Sequence, residues 1–173
     1  AFLKTRSDDR DPKIVSTKDK LYVYFGTWHS DPVTGAYYHC LVNHVSTTED
    51  FVHWSDPVQI YEPHIWLWRV RLYDGTFYSA GYGWEDPGQK PKKMRRRFLD
   101  LLSSPDGLVW KKVACIAQVG EGAGEADLLF RPGGELWCIS RSSHSRWRGD
   151  QRLADDSFFY ISNPPYKDWE RIN

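Results

Sequence analysis

The feature that most constrains this chain of 173 residues is a unit of short strands and turns that occurs three times. Leu21, Phe77 and Leu136 each follow a turn and open a short apolar run, so the unit recurs after 56 and then after 59 residues. A tryptophan lies 33 residues after each of these positions, and the three are Trp54, Trp110 and Trp169. A repeat of this length is typical of propellers and other repeat arrays, in which each unit buries its apolar face against the next.

The clearest copy of the unit is the stretch GEADLLFRPGGELWCISR, residues 124–141. Two short apolar runs flank a Pro-Gly-Gly turn, which is typical of a β-hairpin. Equivalent hairpins are expected around the turns KDK at 18–20 and YDG at 73–75. Two further short apolar runs follow each hairpin, so we predict four antiparallel strands in every unit.

Four short antiparallel strands joined by hairpins form one blade of a β-propeller. The sequence therefore predicts an all-β fold of three four-stranded blades, at about residues 10–62, 63–120 and 121–173, in a single module spanning 1–173. Residues 1–9 are expected to be an arm outside the first strand. Propellers close with about four to eight blades, so three blades leave the ring open. We therefore expect either a partial propeller or one half of a six-bladed ring formed by a homodimer with twofold symmetry.

Composition argues against several kinds of partner. The chain has 23 Lys and Arg against 23 Asp and Glu, so no global charge attracts nucleic acid or an anionic membrane. The basic run KPKKMRRR, residues 90–97, lacks interleaved aromatic residues and is expected to be a solvated loop. The apolar runs are too short to span a bilayer. None of the six histidines has metal-ligand spacing, so we predict no metal and no cofactor, and we leave the localisation open.

Five segments together resemble a known family. In chain order they are RDPKIVSTKDKLYVYFG, WLWRVRLYDGTFYSAGYG, SSPDGLVW, GEADLLFRPGGELWCISR and NPPYKDW. This ordered set is similar to the sialidase-like (exo-α-sialidase, neuraminidase-type) β-propeller glycosidases over nearly the whole chain. The turn SSPDGLVW, with its milder relatives TTEDFVHW and PPYKDW, resembles a shortened form of the Asp-box of that family. The resemblance implies a propeller that binds or cleaves an acidic sugar of the sialic acid type in a central funnel.

The resemblance also implies roles for individual residues. Arg10, in an Arg-Asp-Pro segment, and Arg141 would belong to the arginine cluster that holds the sugar carboxylate. Asp31 would be the acid/base residue, and Glu125 would polarise a nucleophilic tyrosine. No segment matches that tyrosine or the third arginine of the family, so whether one chain is catalytically active stays open.

Counting back from the strand-opening residues gives the same region of the fold by a separate route. Arg10, Trp66 and Glu125 each lie 11 residues before one of those positions, where the innermost strands of a propeller line its funnel. Arginine binds carboxylates in bidentate fashion, and an indole face packs on a sugar ring. The catalytic candidates are Arg10, Asp11, Asp31, Glu125 and Arg141. The substrate-binding candidates are Trp66, Trp68, Arg69, Tyr82 and Asp127.

Each of these interpretations has a structural alternative. Glu125 and Arg141 could form an ion pair at the end of their hairpin, and Asp31, which precedes a proline, could be a turn residue. A five-bladed furanosidase or fructosidase of the invertase and arabinanase type has a similar Arg-Asp-Pro strand, and Asp11 and Glu125 would then be the working pair. A non-catalytic sugar-binding or interaction half-propeller is the third possibility.

Overall fold

The computed structural model describes residues 5, 7–30, 37–85, 97–142, 147–148, 151–152 and 157–172, which contain strands and no helix. The first sheet contains β1 (Asp8–Ser16), β2 (Leu21–Ser30), β3 (Tyr37–Thr48) and β4 (Val58–Ile60). The second contains β5 (Ile65–Tyr73), β6 (Thr76–Trp84), β7 (Arg97–Ser104) and β8 (Lys111–Ala117). After β9 (Ala123–Phe130) and β10 (Leu136–Ser142), β11 (Trp147–Arg148) and β12 (Gln151–Arg152) pair as a two-stranded ribbon. The third sheet is completed by β13 (Ser157–Ser162) and β14 (Glu170–Ile172).

The three four-stranded sheets are antiparallel, and in each one the strands are adjacent in chain order. Strands of the first and third sheets alternate between buried and more exposed positions, as in β9, where Ala126 and Leu128 are buried and Leu129 is exposed, whereas β6 and β7 of the second sheet are buried at most positions. This alternation is the signature of a pleated strand with one face in the core. The predicted all-β fold with three four-stranded antiparallel blades is confirmed.

The first strand begins earlier than the sequence indicated. Asp8 and Asp9, expected in an arm, pair with Trp28 and Thr27 of β2. The register then shifts between Arg10 and Lys13, where Asp11 adopts a φ of 53°. A bulge of this kind bends the strand and redirects its side chains. An alternation pattern does not reveal it, because one extra residue moves every later side chain to the other face.

The sheets pack side by side through two apolar layers. Between sheets 1 and 2, Val15 and Tyr24 pack in one buried cluster with Val70, Phe77 and Trp110. Between sheets 2 and 3, the buried cluster contains Ala80, Leu101, Leu128, Leu136 and Tyr160. The innermost strand of sheet 2, β5, contacts both β1 and β9. The sheets are therefore arranged as neighbouring blades of a partial propeller, with β1, β5 and β9 on the inside.

The outer turns of sheets 1 and 2 share one hydrogen-bonding pattern. In the turn of sheet 2, the Ser104 hydroxyl accepts a bond from the Gly107 amide at 2.9 Å, and Asp106 accepts bonds from the Leu108 and Val109 amides at 2.8 Å. Thr48 and Asp50 make the equivalent bonds in sheet 1. The third turn differs, because it contains a cis Pro164–Pro165 bond. The assignment of these turns as Asp-boxes stays a prediction.

A search of the described residues for a helix with the length and hydropathy of a membrane span gives a negative result.

Candidate functional site

Five aromatic side chains gather where strands of sheets 1 and 2 meet. The innermost pair is Trp66 of β5 and Tyr82 of β6, which lie opposite each other in the register and stack with their ring centroids 6.3 Å apart. Trp84 follows two positions after Tyr82, so the pleat places both on one face, and their rings meet at 5.6 Å. We call the whole group the aromatic cluster; its members are Trp28, Trp66, Trp68, Tyr82 and Trp84.

Sheet 1 approaches this cluster closely because it has a glycine at the contact. A β-carbon added at Gly26 would lie 3.0 Å from two carbon atoms of the Trp66 indole. Trp28, two residues further along β2, meets Trp66 with ring centroids 5.6 Å apart. The side chain of Trp66 is buried, with 4% of its surface exposed. The absence of a side chain at Gly26 therefore allows sheet 1 to pack closely against Trp66 of sheet 2.

Charged side chains from all three sheets influence the pKa of Tyr82. Burial is the main cause that raises the pKa of Tyr82, and the carboxylates of Glu125 and Asp11 raise it further, whereas Arg97 and Arg141 lower it. Asp11 belongs to sheet 1, Arg97 to sheet 2, and Glu125 and Arg141 to sheet 3. Charges on all three blades therefore influence the pKa of one tyrosine.

One of these charges was missed by sequence reasoning. Arg97 closes the basic run that the sequence analysis expected to be a solvated loop, yet it is the first residue of β7. Its guanidinium carbon lies 5.2 Å from the Tyr82 ring centroid and 5.4 Å from that of Trp84. Residues 90–96 of this run lie outside the described residues, so the loop interpretation stays a prediction for them.

Lys13 is a second residue that the sequence analysis missed. Its side chain is buried, with 5% of its surface exposed, and its ammonium lies 5.4 Å from the Trp68 ring centroid and 5.7 Å from that of Trp66. Within the described part of the chain, this ammonium has no hydrogen-bond partner. Burial lowers the pKa of Lys13 to about 8, with Asp11 opposing that shift and Arg69 adding to it. Counting inward positions back from Val15 in steps of two would have indicated this burial.

The predicted residues of sheet 3 form the ion pair that was their structural alternative. The guanidinium of Arg141 donates a hydrogen bond to the Glu125 carboxylate at 3.1 Å, across β9 and β10. About a third of the Glu125 side chain and more than half of that of Arg141 remain exposed. The pair is therefore accessible to a ligand and is also part of the charge set around Tyr82.

Two of the predicted residues of sheet 1, Arg10 and Asp11, have different surroundings. Arg10, opposite Gly26 in the register, is exposed and forms an ion pair with Asp8. The carboxylate of Asp11 raises the pKa of both Tyr82 and Lys13. Asp31, the acid/base candidate, lies outside the described residues.

Asp127 stands apart from the aromatic cluster. Its carboxylate accepts two bonds from Arg71 of sheet 2, at 3.0 Å and 2.5 Å. It lines a groove of about 590 Å³ with Leu129, Trp137 and Ile139. This environment is an inter-sheet ion pair beside an apolar surface, and the substrate-binding role of Asp127 stays a prediction.

The arrangement around Tyr82 suits a ligand with both apolar and ionic surface. Trp68 and Trp84 are partly exposed indoles, and Glu125, Arg141 and Asp11 have carboxylate acceptors and guanidinium donors. No group of three or more His, Cys, Asp or Glu among the described residues could hold a metal ion. The side chains of Asp11, Glu125 and Arg141 could supply acid, base and charge stabilisation.

No protein-family model matches this sequence, and no curated protein matches it. Solved structures do match the fold. They include a β-fructofuranosidase of family GH32 from Bombyx mori (TM-score 0.68, 13% identity, 99% of this chain) and a GH43 enzyme from Xanthomonas citri (0.64, 12%, 99%). A third is the sialidase of Trypanosoma rangeli in complex with the inhibitor DANA (0.63, 16%, 98%).

The chain spans 38%, 57% and 29% of the length of those three solved chains. The likeness shows the fold, which is that of the β-propeller found in glycosidases. The chain is thus similar, as three blades, to parts of larger propellers of that kind.

Proposed function

We propose that this protein is a carbohydrate-active propeller that binds a sugar at the convergence of its three blades, beside Tyr82. The observation that carries the proposal is the aromatic cluster itself, with the guanidinium carbon of Arg97 5.2 Å from the Tyr82 ring centroid and the ammonium of Lys13 5.4 Å from that of Trp68. Sugar sites combine aromatic faces with a few well-placed polar groups, and the aromatic cluster with Asp11, Glu125 and Arg141 has this composition. The glycosidase-type fold supports the same proposal.

The ligand class we propose first is an acidic sugar of the sialic acid type. Arg97 and Arg141 lower the pKa of Tyr82, Lys13 lies over Trp66 and Trp68, and Arg69 lowers the pKa of Lys13, whereas the carboxylates of this region are Asp11 and Glu125. Cationic excess in a partly buried site favours an anionic ligand, and arginine matches the geometry of a carboxylate. The likeness to a sialidase supports this class.

A second candidate is hydrolysis of a furanoside or fructoside. In that case Asp11 and Glu125 would be the pair of carboxylates that glycoside hydrolysis generally needs. Two features favour it: both carboxylates act on Tyr82, and the chain is similar to a β-fructofuranosidase and a GH43 enzyme. A binding module without turnover would retain the aromatic cluster and use neither carboxylate catalytically.

The test is a titration of the protein with each of four sugars, in which tryptophan fluorescence reports binding. The sugars are N-acetylneuraminic acid, glucuronic acid, fructose and arabinose. We expect saturable binding of the acidic sugars that weakens as salt is added, because exposed charges are screened. Arg141→Met should weaken that binding about tenfold, which corresponds to roughly 1.4 kcal/mol. Arg171→Met is the matched control, because Arg171 is exposed on β14 and packs on Phe158.

Hydrolysis assays distinguish the candidates. Release of the fluorophore from a methylumbelliferyl sialoside, lost in Arg141→Met, would favour the first. Activity only on arabinofuranosides or sucrose, lost in both Asp11→Asn and Glu125→Gln, would favour the second. Saturable binding without turnover of either kind would leave a binding module. Absence of saturable binding to all four sugars would contradict the proposal.

A further inference from the structure

Sheet 3 presents an apolar face that no described residue of this chain covers. Leu129 is 56% exposed and Ile139 is 51% exposed, and they lie beside Trp137 and Phe159 along the groove described above. We call these four side chains the outward face of sheet 3. Exposed large apolar side chains that are contiguous generally mark a surface that another element covers.

The neighbouring sheet shows what these positions do when they are covered. In sheet 2, Ala80 and Leu101 are register partners, as Ile139 and Phe159 are in sheet 3, and Ala80 follows Phe77 by three residues as Ile139 follows Leu136. Ala80 and Leu101 are completely buried in the layer between sheets 2 and 3. The outward face of sheet 3 therefore repeats, position by position, a surface that binds another blade.

Sheet 1 presents the complementary surface. Ile14, which pairs with Val23, occupies the position of Val70, which pairs with Ser79 in sheet 2. Val70 is 5% exposed in the layer between sheets 1 and 2, whereas Ile14 is 68% exposed. We call the face of sheet 1 that contains Ile14 the outward face of sheet 1. It is the counterpart of the face by which sheet 2 packs on sheet 1.

We infer that the outward face of sheet 3 binds the outward face of sheet 1 in a second copy of this chain. The same contact, made twice around a twofold axis, closes a six-bladed ring, and closure covers both apolar faces. The second copy would also complete the funnel, since three blades enclose only half of it. This inference does not depend on the proposed function, because its test measures mass and not sugar binding.

The experiment is sedimentation equilibrium of the purified chain and of three exposed-site variants. We expect the wild-type chain to have twice its mass of 20.2 kDa. Ile139→Glu and Ile14→Glu should each give the single-chain mass, because each places a carboxylate in both contacts of the ring. Val109→Glu is the matched control, since Val109 is 69% exposed on an outer turn of sheet 2. Circular dichroism establishes that each variant is folded.

Mixing the two variants tests the head-to-tail arrangement. In a pair made of one Ile14→Glu chain and one Ile139→Glu chain, one contact carries both substitutions and the other carries neither. We therefore expect the equimolar mixture to regain some dimer. Dissociation by Ile139→Glu but not by Ile14→Glu would overturn the inference, because it indicates a contact between two copies of sheet 3. A wild-type monomer, as expected if sheets of another polypeptide cover these faces, or a mass that grows without limit, would overturn it as well.

Discussion

Lys13 shows how a charged side chain packed against the aromatic cluster affects the stability of the fold. Its ammonium is buried against Trp66 and Trp68, and its pKa falls from 10.5 to about 8. Because the folded state releases this proton at lower pH than the unfolded state, the unfolded state binds more protons between about pH 8 and 10.5. Stability must therefore rise with pH across that window.

We predict that Lys13→Met removes this rise. Relative to the variant, the wild-type free energy of unfolding should increase by about 3 kcal/mol between pH 7 and pH 10.5, since each pKa unit corresponds to about 1.4 kcal/mol. Urea unfolding at several pH values measures it. Lys111→Met, at an exposed position in β8, is the control and should follow the wild type. Parallel pH curves for wild type and Lys13→Met would mean that the ammonium is solvated in the folded protein.

Gly26 is the second residue on which the cluster depends. A methyl group there would lie 3.0 Å from the Trp66 ring, so the indole or the sheet must move. We predict that Gly26→Ala lowers the free energy of unfolding by about 1–3 kcal/mol, as overpacking generally does. It should also change the near-ultraviolet circular dichroism and weaken sugar binding.

Gly133→Ala is the matched control for that substitution. Nothing lies within 4 Å of a β-carbon at Gly133, in the turn between β9 and β10. We expect this variant to match the wild type in stability and in its aromatic signal. Equal effects of the two substitutions would show that backbone freedom, and not the contact with Trp66, determines the result.

At the scale of elements, the outer turn of sheet 2 holds its two strands by side-chain caps. Asp106 accepts bonds from the Val109 and Leu108 amides, and these bonds lower its pKa. We predict that Asp106→Ala lowers the free energy of unfolding by about 1 kcal/mol, a usual loss for such a cap. The difference should be present at neutral pH and disappear in acid, where the carboxyl is protonated in both states.

Thermal unfolding of Asp106→Ala at pH 7 and pH 3 measures this effect. Asp56→Ala, in the exposed segment before β4, is the control and should leave stability unchanged at both pH values. A loss of equal size at the two pH values would assign the effect to the backbone of the turn and not to the carboxylate.

The strand pattern was predictable because its causes are local. Leu21 and Leu136 open β2 and β10, and Phe77 is the second residue of β6. Turn residues and period-two alternation act over a few positions, so a sequence displays them directly. The bulge at Asp11 was not predictable, because an extra residue in a strand has no local signature beyond the neighbouring Pro12.

At the scale of the molecule, the glycosidase-type propeller determines which residues meet. The single-module division at 1–173 and its three blade boundaries stay predictions, as do the catalytic roles of Arg10, Asp11, Asp31, Glu125 and Arg141. In the structure Asp11, Glu125 and Arg141 influence the pKa of Tyr82, and Asp127 forms an ion pair with Arg71. These groupings depend on how neighbouring blades pack.

The sequence by itself determined the three repeats, the all-β class, the hairpins and the capped turns, because each of these follows from side chains within about ten residues of one another. Only the tertiary structure decided that Lys13 contacts Trp66 and Trp68, that Arg97 lies over Tyr82, and that Ile14 and Ile139 face outward. The Lys13 contacts join residues more than fifty positions apart (66 − 13 = 53), and the Arg97 contact depends on the pairing of β6 with β7. The exposure of Ile14 and Ile139 depends on which face of a sheet meets its neighbour. Pairing between distant strands and sheets leaves no periodic trace in the chain.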